Sequence, residues 1–357
     1  MLDKQWISRV KGVELTPNWF ASVMGTGIIA NAAAGLPLFA AQLHSFAVVV
    51  WLLSVVLLLF LSFVKLLELA FSFSHTKKHF SDPVMAQFFG APPMALLTIA
   101  GGCVLVGVDV LGSYWAIKIA WYLWLVGTLG GLFTAVFIPY RLFTCFDVQQ
   151  DSPFGGWLMP VVPPMVSAAI GALLVPHAPE GQWQQAMLLG CYAMFGLSLI
   201  AAMIIITMIW SRLAHVGSSG TSRVPTLWII LGPLGQSITA LGLLAICAPG
   251  VVAPELAQGM RLMAILYGVP VWGFALLWSV IAALITVRAM RNKMPFALTW
   301  WAFTFPVGTC VTGTSLLANH TGLIAFGYAA ALLFTALLFA WLLAAVGTLR
   351  SFIFKRS

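Results

Sequence analysis

Residues 300–315 read WWAFTFPVGTCVTGTS. The stretch lies within apolar sequence long enough to cross a membrane, since about 20 helical residues span roughly 30 Å of hydrocarbon. Yet it carries Pro306, Gly308, Gly313 and a run of hydroxyl side chains at bilayer depth. A plain membrane helix has no use for these. Proline removes a backbone donor and crowds the carbonyl four residues earlier. Freed polar groups are costly in hydrocarbon, so such backbone is tolerated where protein or a water-lined cavity receives it.

The same interruption recurs upstream along the apolar chain. FFGAPPMALLTIAGG (88–102) and MPVVPPMVSAAIGALL (159–174) share Pro-Pro-Met followed by small residues, and ILGPLGQSITALG (230–242) is similar. Taking Pro93, Pro164, Pro233 and Pro306 as equivalent gives steps of 71, 69 and 73 residues. Some 70 residues before Pro93, FASVMGTGIIAN (20–31) offers Gly25 and Gly27 where the others have proline. One kink is commonly a packing device, but four at a common period make a repeat. The pattern predicts five quasi-repeated helical hairpins, each a kinked helix followed by a smoother one. The kinked, odd-numbered helices are expected to form an inner ring around a central pore, with the Leu-, Val-, Phe- and Trp-rich even-numbered ones facing lipid.

Composition sets the class. Of 357 residues, 61% are hydrophobic and 7% charged, which excludes a water-soluble globule and predicts an all-α polytopic membrane protein. Ten spans are expected near 17–36, 45–70, 88–108, 114–142, 157–176, 184–211, 225–248, 260–288, 296–319 and 322–349. They make residues 1–357 a single transmembrane domain, with 1–16 and 350–357 as cytoplasmic ends. With the N-terminus inside, fifteen Lys and Arg fall on the cytoplasmic side and only Lys118 and Arg261 outside. A missed or invented span would invert every later loop.

The net charge of +8 is scattered through short loops, where it reads as topology determinants and anionic-lipid contacts and not as a nucleic-acid surface. Cys103, Cys145, Cys191, Cys247 and Cys310 stand singly, so neither a disulfide framework nor a metal site is expected. His75 and His79 have i, i+4 spacing but sit beside Lys77 and Lys78, and are read as part of a solvated cytoplasmic loop. No clustered carboxylates and no nucleophile paired with a base fall at the midplane. The chain is therefore expected to be no enzyme and to carry no cofactor.

PNWFASVMGTGI (17–28), the Pro-Pro-Met segments, FIPYRLF (137–143) and WWAFTFPVG (300–308) together resemble the tellurite-resistance and dicarboxylate transporter family. Its members include bacterial tellurite-resistance proteins, plant slow anion channels, fungal malate permeases and yeast sulfite exporters. The resemblance implies ten helices in five hairpins around a pore, assembled as a homotrimer with one pore per subunit. It also implies that the phenylalanine before the ninth-helix proline, here Phe305, plugs the pore. MGTG (24–27) is more similar to the malate-permease and sulfite-exporter branches. The expected location is a plasma membrane, a bacterial inner membrane, with both termini cytoplasmic.

No Asp, Glu, Lys or Arg lies near the middle of an odd-numbered span, so the pore must handle its substrate without fixed charge. Helix dipoles can attract an anion at a broken helix. Gly25, Gly27, Pro93, Pro164, Pro233 and Pro306 are the expected pore-lining kinks. Thr26, Ser167, Gln236, Ser237, Thr309, Thr312 and Thr314 follow the breaks and are the candidate anion contacts. Phe305 among Gly25, Gly90, Gly235 and Gly308 would make a dewetted barrier. The expected function is transport of small anions, four-carbon dicarboxylates such as malate or sulfite- and chloride-like ions. The alternative is a proton-coupled dicarboxylate carrier working by alternating access.

Overall fold

A computed structural model of the protein describes residues 14–218 and 220–354. Among them no β-strand forms, and ten helices reach twelve residues or more. These are α1 (Phe20–Ala34), α2 (Ala40–Phe71), α3 (Ala91–Gly102), α4 (Ser113–Thr144), α5 (Pro163–Leu174), α6 (Gln182–His215), α7 (Leu231–Cys247), α8 (Pro254–Arg291), α9 (Phe305–Thr321) and α10 (Ile324–Phe354). Seven helical segments among the described residues are long and apolar enough to cross a membrane. They comprise α2, α4, α6, α8, α10 and the composite helices Met85–Leu111 and Gly220–Cys247 that contain α3 and α7. The other three expected spans are shorter as α-helix, with 15 residues in α1, 12 in α5 and 17 in α9.

Burial separates the two sets. In the even-numbered helices only 22–33% of the most apolar stretch is buried, against 89% in Gly220–Cys247 and 61% in Met85–Leu111. Leu59, Leu129, Leu266 and Leu332 stand on the open apolar faces that result. In a soluble protein such surface would drive aggregation; in hydrocarbon it is at equilibrium with its solvent. Contacts run from α1 to α3, α3 to α5, α5 to α7, α7 to α9 and from α9 back to α1. Each even-numbered helix packs over two neighbours of that circuit, as α4 does over α3 and α5 and α10 over α9 and α1.

The prolines act differently from the expected interior kinks. A 3₁₀ run precedes every odd-numbered helix: Pro17–Trp19, Met85–Gly90, Gly155–Leu158, Val224–Ile230 and Leu298–Phe303. Pro93, Pro164, Pro233 and Pro306 then fall within the first turn of the α-helix proper. There the N–H has no carbonyl to reach within the α-helix, so the proline breaks nothing and its fixed φ suits the start. The irregularity lies in the tighter 3₁₀ turns upstream.

Close approach explains the glycines. A Cβ on Gly235 would overlap the Thr309 carbonyl and the Cys310 backbone, one on Gly90 the Met159 carbonyl, and one on Gly308 the Ile28 side chain. Backbone cannot yield as a flexible side chain does. Gly235→Val is therefore expected to destabilise the protein by about 1–3 kcal/mol. A thermal midpoint in detergent equal to that of the unaltered protein would contradict this packing role.

One polar cluster anchors the chain before α1. Glu68, fully buried near the end of α2, lies 2.8 Å from Lys65 Nζ. Its carboxylate also accepts from Thr76 Oγ1 and from the Leu15 backbone N–H, each at 2.6 Å. Thr76 belongs to a short helix, Phe73–Ser81. The expectation of a solvated loop around His75 and His79 is thus corrected: His79 is buried and pairs with Glu14 through Nε2 at 2.7 Å. That hydrogen bond from His79 holds the Glu14 carboxyl below its usual value. The partner lies 65 residues away in sequence, out of reach of a local reading.

Candidate functional site

The first turns of the odd-numbered helices converge on a common cavity. Asn18, Ala21 and Met24 reach it from α1 and its 3₁₀ run, Phe88 and Met94 from α3 and its leader, and Met159 and Val162 from the entry to α5. Thr226, Ile229, Gly232 and Pro233 come from the α7 segment, and Leu298, Thr299, Trp301, Ala302, Phe305 and Pro306 from that of α9. The space open to the centres of water-sized molecules is about 40 Å³. A single water needs roughly 10–15 Å³ on that measure, so the cavity admits a few small guests and is no wide channel.

Among the described residues no charged side chain lines it. Its electrostatic character comes from the backbone instead. An α-helix carries about half a positive charge at its N-terminus, and residues in or just before the opening turn of all five odd-numbered helices border this space. Prolines in the first turns of α3, α5, α7 and α9 remove N–H groups there. The helix starts therefore supply a field favourable to an anion more than they supply donors to bind it.

Phe305 is the first residue of α9 and is 5% exposed. Its neighbour in sequence pattern, Phe303, is held edge-on by Trp228 and Trp300, with ring centroids 5.6 and 5.7 Å away. Among the described residues no aromatic ring packs on Phe305. The two tryptophans of the opening motif are anchored: Trp301 donates to Thr348 Oγ1 on α10 at 3.0 Å, and Trp300 to the Pro295 carbonyl at 3.2 Å. The chain is thus anchored just upstream of α9, ahead of a phenylalanine that no other ring clamps among the described residues.

Of the expected kink residues, Pro233 and Pro306 border the cavity. Pro93 instead packs towards Gly127 and Gly130 of α4. Pro164 is buried in the first turn of α5, outside the cavity lining. Gly25 lies against Thr304 and Gly27 against Thr98, at helix contacts.

None of the seven candidate anion contacts is among the residues that line the cavity. Thr26 accepts from Trp341 Nε1 of α10 at 3.0 Å, and Ser167 shares a 2.5 Å hydrogen bond with Thr128 of α4. Tyr267 of α8 donates to Ser237 at 2.8 Å, and Trp272 of α8 donates to Thr314 at 3.0 Å. Thr309 donates to the Pro306 carbonyl at 2.7 Å, with the Leu231 and Gly232 carbonyls at 3.3 Å, and Thr312 pairs with Thr239 at 2.7 Å. These six hydroxyls join one helix to the next. Gln236 differs: it is buried, and among the described residues its amide has no hydrogen-bond partner.

Sequence reading missed the methionines of the cavity wall. Met24, Met94 and Met159 all line it, and the Met of the first Pro-Pro-Met was the available signal. Methionine is flexible and polarizable, suited to a wall that adapts to its contents.

The chain is also similar in sequence to known transport proteins. The chain matches the voltage-dependent anion channel family model over residues 14–349. It is 29% identical over 316 residues to the sulfite efflux pump of Arthroderma otae, covering 87% of this chain and 83% of the pump. An uncharacterized transporter of Methanocaldococcus jannaschii is 26% identical over 93% of this chain and 92% of its own length. The malic acid transport protein of Schizosaccharomyces pombe is 22% identical over 82% of this chain and 68% of its own length. These are the kinds of relative to which WWAFTFPVG and PNWFASVMGTGI pointed. With the family match running from the residue before Leu15 to near the end of α10, the chain belongs to the voltage-dependent anion channel family.

Proposed function

We propose that this protein conducts small anions across a membrane, sulfite and four-carbon dicarboxylates such as malate foremost, along a path enclosed by α1, α3, α5, α7 and α9. The observation that carries the reading is the convergence of five helix starts on one uncharged cavity lined by Phe305. Positive helix ends attract an anion, and a lining with no fixed cation among the described residues lets it leave again. The named activities of the related sulfite efflux pump and malic acid transport protein supply the substrate classes.

In this reading α1, α5 and α9 complete ten spans together with their 3₁₀ leaders, giving five hairpins with the odd-numbered helices innermost. Phe305 is the constriction of the path. The distribution of Lys and Arg supports a cytoplasmic position for both termini. The protein works in a bacterial inner membrane as a homotrimer, on the strength of the family resemblance, each subunit with its own path.

The test is anion flux from proteoliposomes of purified protein, comparing sulfite, malate and chloride with and without imposed voltage and pH gradients. Voltage-dependent flux of sulfite and malate is expected. Strict dependence on a proton gradient would favour a proton-coupled carrier instead, and absence of flux for every anion would remove the transport reading.

A further inference from the structure

We propose that the Gln236 side-chain amide is where the permeating anion finds its hydrogen-bond donors beyond Phe305, and that it sets the preference for oxyanions over halide. The inference rests on the anion-transport reading and adds to it a specificity-determining residue.

Gln236 is 3% exposed and has no hydrogen-bond partner among the described residues. A buried carboxamide in a membrane protein has to be satisfied by protein, water or solute. The Asn31 Oδ1 atom is sealed without a partner, whereas neither Gln236 amide atom is sealed. Its amide therefore borders open space inside the protein.

The direction of that space follows from helix geometry. At about 100° per residue, Gln236 lies roughly 40° from Gly232 and 60° from Pro233 around the axis of α7. Both of those residues line the cavity. The flanking residues face elsewhere: Gly235 lies on the α9 backbone, and Ser237 meets Tyr267 of α8. Gly232 also lies about level with Pro306, whose ring a Cβ there would meet at 4.0 Å. Gln236 is not itself in the cavity lining; it lies on the same face of α7 as Gly232 and Pro233, one helical turn beyond the Phe305–Pro306 step.

The chemistry fits the position. The neighbouring hydroxyls already bond to protein, and the prolines have removed N–H groups from the helix starts. A carboxamide offers two N–H donors and no charge. It can replace part of the hydration shell of a carboxylate or sulfite oxygen and still release it.

The experiment uses purified full-length protein in proteoliposomes, measuring sulfite and chloride flux for the unaltered chain, Gln236→Met, Gln236→Glu and Gln236→Asn. Gln236→Met keeps length and shape while removing both donors. It is expected to lower the sulfite-to-chloride flux ratio about tenfold, the effect of one net hydrogen bond. Gln236→Glu is expected to slow both anions at neutral pH, and Gln236→Asn to keep the ratio closer to that of the unaltered chain than Gln236→Met does. A Gln236→Met protein that elutes as a single folded species with an unchanged ratio would overturn the assignment, as would Gln236→Glu with unchanged flux. If the unaltered protein carries neither anion, the transport reading itself fails and this inference falls with it. If it carries both and the variants match it, only the role of Gln236 fails.

Discussion

Phe305→Ala is expected to raise sulfite and malate flux through reconstituted protein by about tenfold or more, since each 1.4 kcal/mol removed from a barrier gives a factor of about ten. Three features lead to this expectation. Phe305 borders a cavity of only about 40 Å³, so loss of a ring is a large fraction of the obstruction. It begins α9, next to Thr304, whose hydroxyl is tied to the Trp301 carbonyl at 2.6 Å, so the backbone beneath it is held. And no aromatic ring among the described residues packs on it, in contrast to Phe303 between Trp228 and Trp300. Phe303→Ala is the control: it removes packing away from the cavity and should lower the thermal midpoint without raising flux. A Phe305→Ala protein with a normal midpoint and unchanged flux would sink the constriction assignment; so would a Phe303→Ala protein that leaks equally.

The stretch at 300–315 marked the position of the irregular backbone but not its form. Proline spacing marks where an α-helix starts afresh as readily as where it kinks, and only the carbonyl geometry upstream separates the two. In the structure Leu298–Phe303 is 3₁₀ and Pro306 follows in the first turn of α9. Helix positions were legible because apolar runs and turn residues are local signals. Side-chain directions were not, because a helix such as α7, buried on nearly every side, has no polar face to reveal its orientation. Thr309 and Gln236 read alike in sequence, yet one bonds to carbonyls and the other has no partner among the described residues. Glycines were ambiguous in the same way: Gly235 could have opened a pore, and instead it admits the backbone of α9.

Glu68→Ala is expected to destabilise the protein by about 3–5 kcal/mol, the usual cost of stranding one member of a buried ion pair. Lys65, with 14% of its side chain exposed, would keep its charge with, among the described residues, only the Leu15 carbonyl, at 3.1 Å, to receive it. The Leu15 N–H and the Thr76 hydroxyl would lose their acceptor as well. The consequence reaches function, because these bonds fix the chain immediately before α1, where Asn18 borders the cavity. The Glu68→Ala protein should therefore be cleaved sooner by protease near residues 14–16 and show altered flux along with its lower thermal midpoint. Replacing both charges, Lys65→Met with Glu68→Met, distinguishes the physical causes. If the stranded cation is what destabilises, the double variant recovers much of the lost midpoint, since two apolar side chains leave no charge to desolvate. If the lost bonds to Leu15 and Thr76 dominate, it recovers little and the protease site stays open. A single variant as stable as the unaltered chain would show that the cluster contributes nothing.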